Sequence, residues 1–296
     1  MVQSTCQTLA VPSHNRPRQT DQTTTPTEAL PELLGSWLRR LRDQYGKTQH
    51  EVADAIHFEQ STISRLETGW YRTNRQEATV RALLELYGIA ENDHKKYLTW
   101  GYPDQRGPDH SPRLDTLMDL EPLCEILQYE QTLVPDLLQT PEYARAALSS
   151  GHLDYTDDDI DQMLDERLCA QHALDCTKPP HLWMLIENVV LCRPLGGSEI
   201  WRKQIDHLLE VREHPNVTLQ IIADQECGPA YVRHPFTCLR FAEKELPDLV
   251  CLPDLAGTKY LNRPHDTERY RLFHAFLASK AASSNRTAQL LTAARL

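Results

Sequence analysis

Thr48-Gln49-His50-Glu51-Val52-Ala53-Asp54-Ala55-Ile56-His57-Phe58-Glu59-Gln60-Ser61-Thr62-Ile63-Ser64-Arg65-Leu66-Glu67-Thr68-Gly69 decides the fold of the first third of the chain. Read with the helical period, it gives two short amphipathic segments separated by a break at His57 to Glu59. That pattern is a helix-turn-helix. In the first segment Val52, Ala53 and Ile56 share one face, and the small Ala53 lets a second helix cross close by. In the second, Ile63 and Leu66 point inward, which leaves Gln60, Ser61, Ser64 and Arg65 facing out. Amide, hydroxyl and guanidinium groups read base edges in a major groove, where Gln bonds adenine and Arg bonds guanine in bidentate fashion.

The series Thr48-Gln49, Ala53, Gln60-Ser61-Thr62-Ile63-Ser64-Arg65-Leu66-Glu67 and Gly69 resembles the lambda-repressor and Cro-like family of DNA-binding domains. The resemblance implies an all-α domain of five helices, with Gln60, Ser61 and Arg65 on bases and Gln49 and Ser64 on phosphates. It also implies that Glu67 pairs with a basic residue of the first helix, Arg39 or Arg42. Two positions depart from the family. His57 stands where Gly makes the turn, and Glu59 stands where Ser or Thr caps the reading helix. A carboxylate beside the DNA backbone costs affinity unless Glu59 caps the helix itself or accepts from a cytosine amine.

Outward from the motif, Leu33 to Tyr45 reads as a first helix with Leu34, Trp37, Leu38 and Leu41 on one stripe. Gly46 stops it, and Thr48 with Glu51 three residues later forms a capping box. After Gly69 the run Trp70-Tyr71-Arg72-Thr73-Asn74-Arg75 is basic and aromatic together, and Arg72, Asn74 and Arg75 suit phosphate contacts. Helices are expected over Gln76 to Tyr87 and, from an Asn cap, over Asn92 to Trp100. Residues 1–32, rich in Thr, Gln, Ser and Pro, form a disordered tail. Prolines 103, 108 and 112 mark a linker over 103–113, so that the DNA-binding domain spans 33–102 and a second domain 114–296.

The whole chain of 296 residues has 31 basic and 42 acidic residues and a formal charge of -11. Between Leu34 and Tyr102 the two signs nearly balance, so the acidity lies elsewhere, where it suits a protein partner better than a second DNA contact. The eight cysteines show neither a C-x-x-C pair nor metal-ligand spacing, and read as reduced core residues. No signal peptide and no membrane-spanning run is visible, which places the chain in the cytoplasm, associated with the nucleoid when on DNA.

In the second domain, Leu114 to Thr132 reads as a helix with Leu117, Leu120, Leu123, Cys124 and Leu127 along a face. Thr140 caps a helix that starts at Pro141. Another helix covers Asp157 to Leu174, and Leu182 to Val190 is a run of strand formers. The Gly196-Gly197 turn leads into a helix from Ser198, its N-cap, to His214. Strands follow over Val217 to Ala223, His234 to Phe241 and Leu249 to Leu252, then helices over Thr267 to Ser279 and the Ala-rich end. Val134-Pro135-Asp136-Leu137-Leu138-Gln139-Thr140 with Tyr143-Ala144, the Arg167 and Gln171 pair, and Glu187, Leu191, Arg193, Gly196 and Gly197 are similar to the C-terminal domain of WhiJ-like actinobacterial regulators. Asp136 replaces the usual Gly. This resemblance implies a mixed α/β domain of strands flanked by helices, in a transcriptional repressor; the paired helices with exposed Gln60, Ser61 and Arg65 suggest a homodimer that places two reading helices in successive major grooves of a double-stranded operator. The resemblance further implies a small partner protein held in an antitoxin-like pair.

For chemistry in this domain, Glu187 and Arg193 are the candidates for a ligand or partner contact, read as an ion pair at a strand end. The Gly-Gly turn lacks the Lys-Ser/Thr of a phosphate loop, the histidines lack metal-ligand spacing, and no nucleophile elbow is present. The expectation is therefore no catalytic residue, no metal and no cofactor. A metabolite-responsive regulator is the alternative, and a DNA-tethered enzyme a third reading.

Overall fold

The computed structural model describes residues 29–70, 74–101, 123–151, 155–175, 178–223, 234–254 and 257–295. Five helices come first: α1 (Ala29–Gln44), α2 (Gln49–Ala55), α3 (Gln60–Glu67), α4 (Asn74–Leu86) and α5 (Glu91–Gly101). Helix α1 begins at Ala29, earlier than the periodicity implies, because Ala29 and Leu30 are themselves buried and so extend the apolar stripe of Leu33, Leu34, Trp37 and Leu38. Residues 29–32, expected in the tail, thus belong to the helix. The α5 start at Glu91 places Asn92 inside the helix and not at its cap.

Close packing in this domain depends on one missing side chain. A Cβ on Gly35 of α1 would stand 2.5 Å from the Leu66 carbonyl oxygen and 2.7 Å from the Gly69 nitrogen, so only glycine lets the end of α3 lie directly on α1. Helix α5 closes the other side, where Trp37 stacks on Tyr97 at 4.4 Å and Tyr97 meets Trp100 edge-on. These aromatic pairs join the first and last helices of the domain.

The second domain is built on a six-stranded sheet: β1 (Leu123–Glu130), β2 (His181–Glu187), β3 (Val217–Ile222), β4 (Phe236–Phe241), β5 (Leu249–Asp254) and β6 (Gly257–Leu261). The order is β3-β2-β1-β4-β5-β6. Strands β1, β2 and β3 are parallel, whereas β4, β5 and β6 continue from β1 in antiparallel fashion. The helices are α6 (Pro141–Gly151), α7 (Asp157–Gln171), the single turn α8 (Asn188–Leu191), α9 (Ser198–Val211), α10 (Pro264–Lys280) and α11 (Ser284–Ala293). Among the described residues no helix is long and apolar enough to cross a membrane.

Three sequence expectations change here. Leu123 to Glu130 is a strand, not part of a helix: β1 is paired on both edges, and its consecutive buried residues Ile126 to Tyr129, with Gln128 among them and Glu125 and Glu130 beside them, give no polar–apolar alternation to read. The segment 114–122 lies outside the described residues. Strand β6 carries one buried side chain, Tyr260, and offers too little pattern to be seen in the sequence. The N-cap of α9 is Gly197, at φ 89°, and Ser198 falls inside the helix; no side chain caps this end.

The Val134 to Thr140 segment acts as a clasp between β1 and α6. Its short 3-10 turn, Asp136–Leu138, buries Leu137 and Leu138, and side-chain amides satisfy its backbone. Gln204 donates to the Leu138 carbonyl (2.7 Å) and accepts from the Thr140 N–H (2.7 Å). Gln171 donates to the carbonyls of Asp136 and Gln139, and Gln139 to that of Val134. Arg167 reaches the Gln139 side-chain oxygen at 2.7 Å and the Asp136 carboxylate at 3.2 Å. Among the described residues only His57 combines a positive φ with a side chain, so Asp136 occupies this turn without needing glycine's freedom.

One face of the sheet packs on α10 through Leu127, Tyr129, Leu185, Phe236, Val250 and Leu277. The other packs on α6, α9 and α11, and its cluster continues into the N-terminal helices, where α1 rests on β6. Arg40 of α1 donates to Glu243 at 3.2 Å, and Asn262 donates to Glu32.

Candidate nucleic-acid interface

The interface is built on α2 and α3. Helix α2 begins with a complete capping box: the Thr48 hydroxyl accepts from the Glu51 N–H, and the Glu51 carboxylate accepts from the Thr48 N–H at 2.8 Å. These bonds hold the Glu51 carboxyl below the usual carboxylate range, the backbone N–H of Thr48 contributing most. His57 then turns the chain with φ 60°, the left-handed geometry that favours glycine. Glu59 occupies the N-cap position of α3 but makes no side-chain cap; its carboxylate instead accepts from the Ser61 hydroxyl at 3.2 Å.

Of the expected base-reading set, Gln60, Ser61 and Arg65 are all exposed on α3, and Ser64 is half-buried beside them. Val52, Ala53, Ile63 and Leu66 are buried beneath. A chain of side chains connects this surface to the core. Gln60 donates to the Gln49 amide oxygen (2.8 Å), Gln49 donates to the Glu67 carboxylate (2.8 Å), and Glu67 accepts from Arg42 at 2.6 and 3.2 Å. Arg42 also holds the Lys47 carbonyl at 2.9 Å. Of the two basic residues considered for Glu67, the structure pairs Arg42; Arg39 is exposed. The hydrogen bond to Glu67 keeps the Arg42 guanidinium pKa above its ordinary value.

Two features were invisible in the sequence. Gln49 is tied to Gln60, so an expected phosphate ligand and an expected base reader share one hydrogen bond across the turn. The Arg65 guanidinium lies 5.3 Å from the centre of the Trp70 ring, which holds the cation at the end of the reading helix. The five-residue spacing of Arg65 and Trp70 carries no general signal of such a contact. Arg72 lies outside the described residues, and of Asn74 and Arg75 only the backbone, in the first turn of α4, is described.

In the second domain Glu187 stands at the end of β2, but its partner is not Arg193. The Tyr129 hydroxyl donates to Glu187 at 2.6 Å, from the neighbouring strand β1, and Gln131 donates to the same hydroxyl at 3.0 Å. Arg193 is exposed, and the Glu187 carboxylate is taken by the Tyr129 hydroxyl instead. The parallel register of β1 and β2 sets Tyr129 opposite Leu185, two residues before Glu187, which a reading of local sequence does not reveal. Nearby, burial raises the Glu130 carboxyl to about 8, with the Asp136 carboxylate adding to the shift. Among the described residues no group of three or more His, Cys, Asp or Glu side chains is placed to hold a metal ion. Cys124, Cys169 and Cys192 are exposed, contrary to the expectation of core positions, while Cys238 and Cys251 are buried. Burial pushes the Cys238 thiol up to about 12.

The exposed polar face of α3 on a buried α1–α2–α3 core defines the class: a helix-turn-helix DNA-binding regulator. Residues 33–95 match the family model described as a helix-turn-helix domain. Residues 114–293, more than half of the chain, match the model described as a domain of unknown function, DUF5753, and the chain belongs to that family. No curated protein and no solved structure matches the chain.

Proposed function

We propose that the chain is a sequence-specific transcriptional repressor of the lambda-repressor-like type, which inserts α3 into a major groove. Gln60, Ser61 and Arg65 contact base edges, and Gln49, Ser64, Arg72, Asn74 and Arg75 contact phosphates. Two copies occupy half-sites about 34 Å apart, one helical turn of DNA. The second domain resembles that of WhiJ-like regulators and, being acidic, is assigned to a small partner protein in an antitoxin-like pair, with no catalytic role. The observation that carries the reading is the exposed polar row on α3, anchored through Gln49 and Glu67 to buried Arg42.

The test is a gel-shift or anisotropy titration of operator DNA selected from a random pool. Arg65→Ala is expected to lose about 1–3 kcal/mol and to relax the preference at one base position. Arg72→Ala, which removes a cation from the phosphates, is expected to weaken all sequences alike and to reduce the salt slope. Unchanged affinity and base preference in Arg65→Ala would refute the assignment of α3.

A further inference from the structure

We propose that Glu59, together with Ser61, selects a cytosine in the operator half-site. The inference rests on the reading of α3 as the helix that enters the major groove, and deepens it by naming the base at one position. The other acids of the helix-turn-helix are engaged within the motif: Glu51 in the capping box, Asp54 beside His50 at 3.5 Å, and Glu67 on Arg42. Glu59 is not. It holds the N-cap position of α3 with extended backbone (φ -83°, ψ 140°), from which a side chain ordinarily reaches the first-turn amides, yet it makes no such bond. Its carboxylate is exposed and accepts from the Ser61 hydroxyl at 3.2 Å, its one partner among the described residues.

The chemistry of the pair fixes the base it takes. An ionised carboxylate only accepts hydrogen bonds, and the Ser61 proton is given to it, so the Ser61 oxygen is left as an acceptor too. Glu59 and Ser61 thus offer acceptors alone. In the major groove guanine presents only acceptors, and thymine an acceptor and a methyl group, which leaves the exocyclic amines of cytosine and adenine. Adenine sets its N7 acceptor beside that amine and turns a lone pair to the carboxylate, whereas cytosine presents the amine alone. At the other end of the helix Arg65 offers donors alone, its guanidinium 5.3 Å from the centre of the Trp70 ring. The step from Glu59 to Arg65 rises about 9 Å along α3. At about 3.4 Å per base step, the cytosine lies about two to three base pairs from the guanine that Arg65 reads. A carboxylate without a cation also repels the phosphates that flank the groove, so it penalises every sequence that lacks the cytosine.

The test uses the full chain, operator DNA that it selects from a random pool, and duplexes changed at single base pairs, in anisotropy titrations at low salt. The selected half-site is expected to carry a cytosine at the stated spacing from a guanine. The unaltered chain should prefer C·G over T·A there by about tenfold or more, because thymine turns its O4 acceptor towards the carboxylate. Glu59→Gln keeps the shape and loses the charge; it and Glu59→Ala should each reduce the preference below about threefold and bind non-cognate duplex several-fold more tightly. Neither change removes a buried group or a cap, so both chains fold. Arg65→Ala should lose the guanine preference and keep that for cytosine. If Arg65→Ala behaves so but Glu59→Ala retains the full cytosine preference, or gains no affinity for non-cognate DNA, the role of Glu59 is overturned and that of α3 stands. A selected half-site with no cytosine at that spacing overturns it as well. If Arg65→Ala changes neither affinity nor base preference, the reading of α3 fails and this inference with it.

Discussion

Replacing Glu67 by Leu should cost far more than the surface position of the motif implies. The Glu67 and Arg42 side chains are 3% and 10% exposed, and Glu67 accepts two bonds from Arg42 and one from Gln49. Truncation leaves the buried guanidinium with only the exposed Asp43 carboxylate and the Lys47 carbonyl as partners, at up to about 3–5 kcal/mol. It also removes the acceptor of Gln49, at about 1 kcal/mol. A domain of this size holds only about 5–10 kcal/mol in total, so Glu67→Leu brings it close to unfolding. The double variant Arg42→Met with Glu67→Leu should recover all but about 1–2 kcal/mol, because apolar groups of similar volume replace a buried ion pair at little cost. Native-state hydrogen exchange of the α2 and α3 amides, followed in increasing urea, reports this domain separately from the sheet. A double variant as unstable as Glu67→Leu, or a single variant losing less than about 1 kcal/mol, would refute the account of Arg42 and Glu67 as a buried pair.

Other perturbations are expected to act as follows. His57→Gly should stabilise the domain by about 0.5–1 kcal/mol, since the left-handed φ of 60° costs a side chain more than glycine's extra unfolded-state freedom; a lower melting temperature would contradict this. Gly35→Ala gains about 1 kcal/mol of helix propensity but drives a Cβ into backbone atoms of α3, which costs about 3 kcal/mol or more, so urea melts should show net destabilisation. His274, buried under the sheet with its ring at 3.1 Å from the Trp183 carbonyl, has its pKa lowered to about 4 by burial. The unfolded chain takes up this proton below about 6.5, so its contribution is complete above that pH and is lost as pH falls towards 4. His274→Gln should remove up to about 3 kcal/mol of that acid dependence, read as the difference between the two stability–pH curves; parallel curves would exclude it.

The helix-turn-helix was legible because its information is local. Thr48 and Glu51 form a cap within one turn, the buried Val52, Ala53, Ile63 and Leu66 follow the helical period, and Gly46 and Gly69 sit at positive φ where the helices stop. The sheet was less legible because its decisive contacts are not local. β1 acquires its strand identity from β2 and β4, far along the chain, and with Ile126 to Tyr129 all buried it shows no alternation to read. The same reason misdirected Glu187: its neighbour in sequence, Arg193, carries the opposite charge, but its neighbour in space is Tyr129, 58 residues away. Within the interface, the pairing of Glu67 with a basic residue of the first helix could be anticipated from the resemblance, whereas the linkage of Gln49 to Glu67 and Gln60 depends on how α2 and α3 cross.

The docking of α1 on the edge of the sheet sets an order of assembly on the ribosome. Helices α1 to α5 can close their own aromatic core once residue 101 has emerged, but Arg40 meets Glu243 and Glu32 meets Asn262 across 203 and 230 residues. At about 5–20 residues per second, the remaining synthesis occupies roughly 10–30 s. During that interval the nascent DNA-binding domain is folded but undocked, and its Arg40 side chain has no Glu243 to hold it. The reading head is thus finished well before the body that positions it.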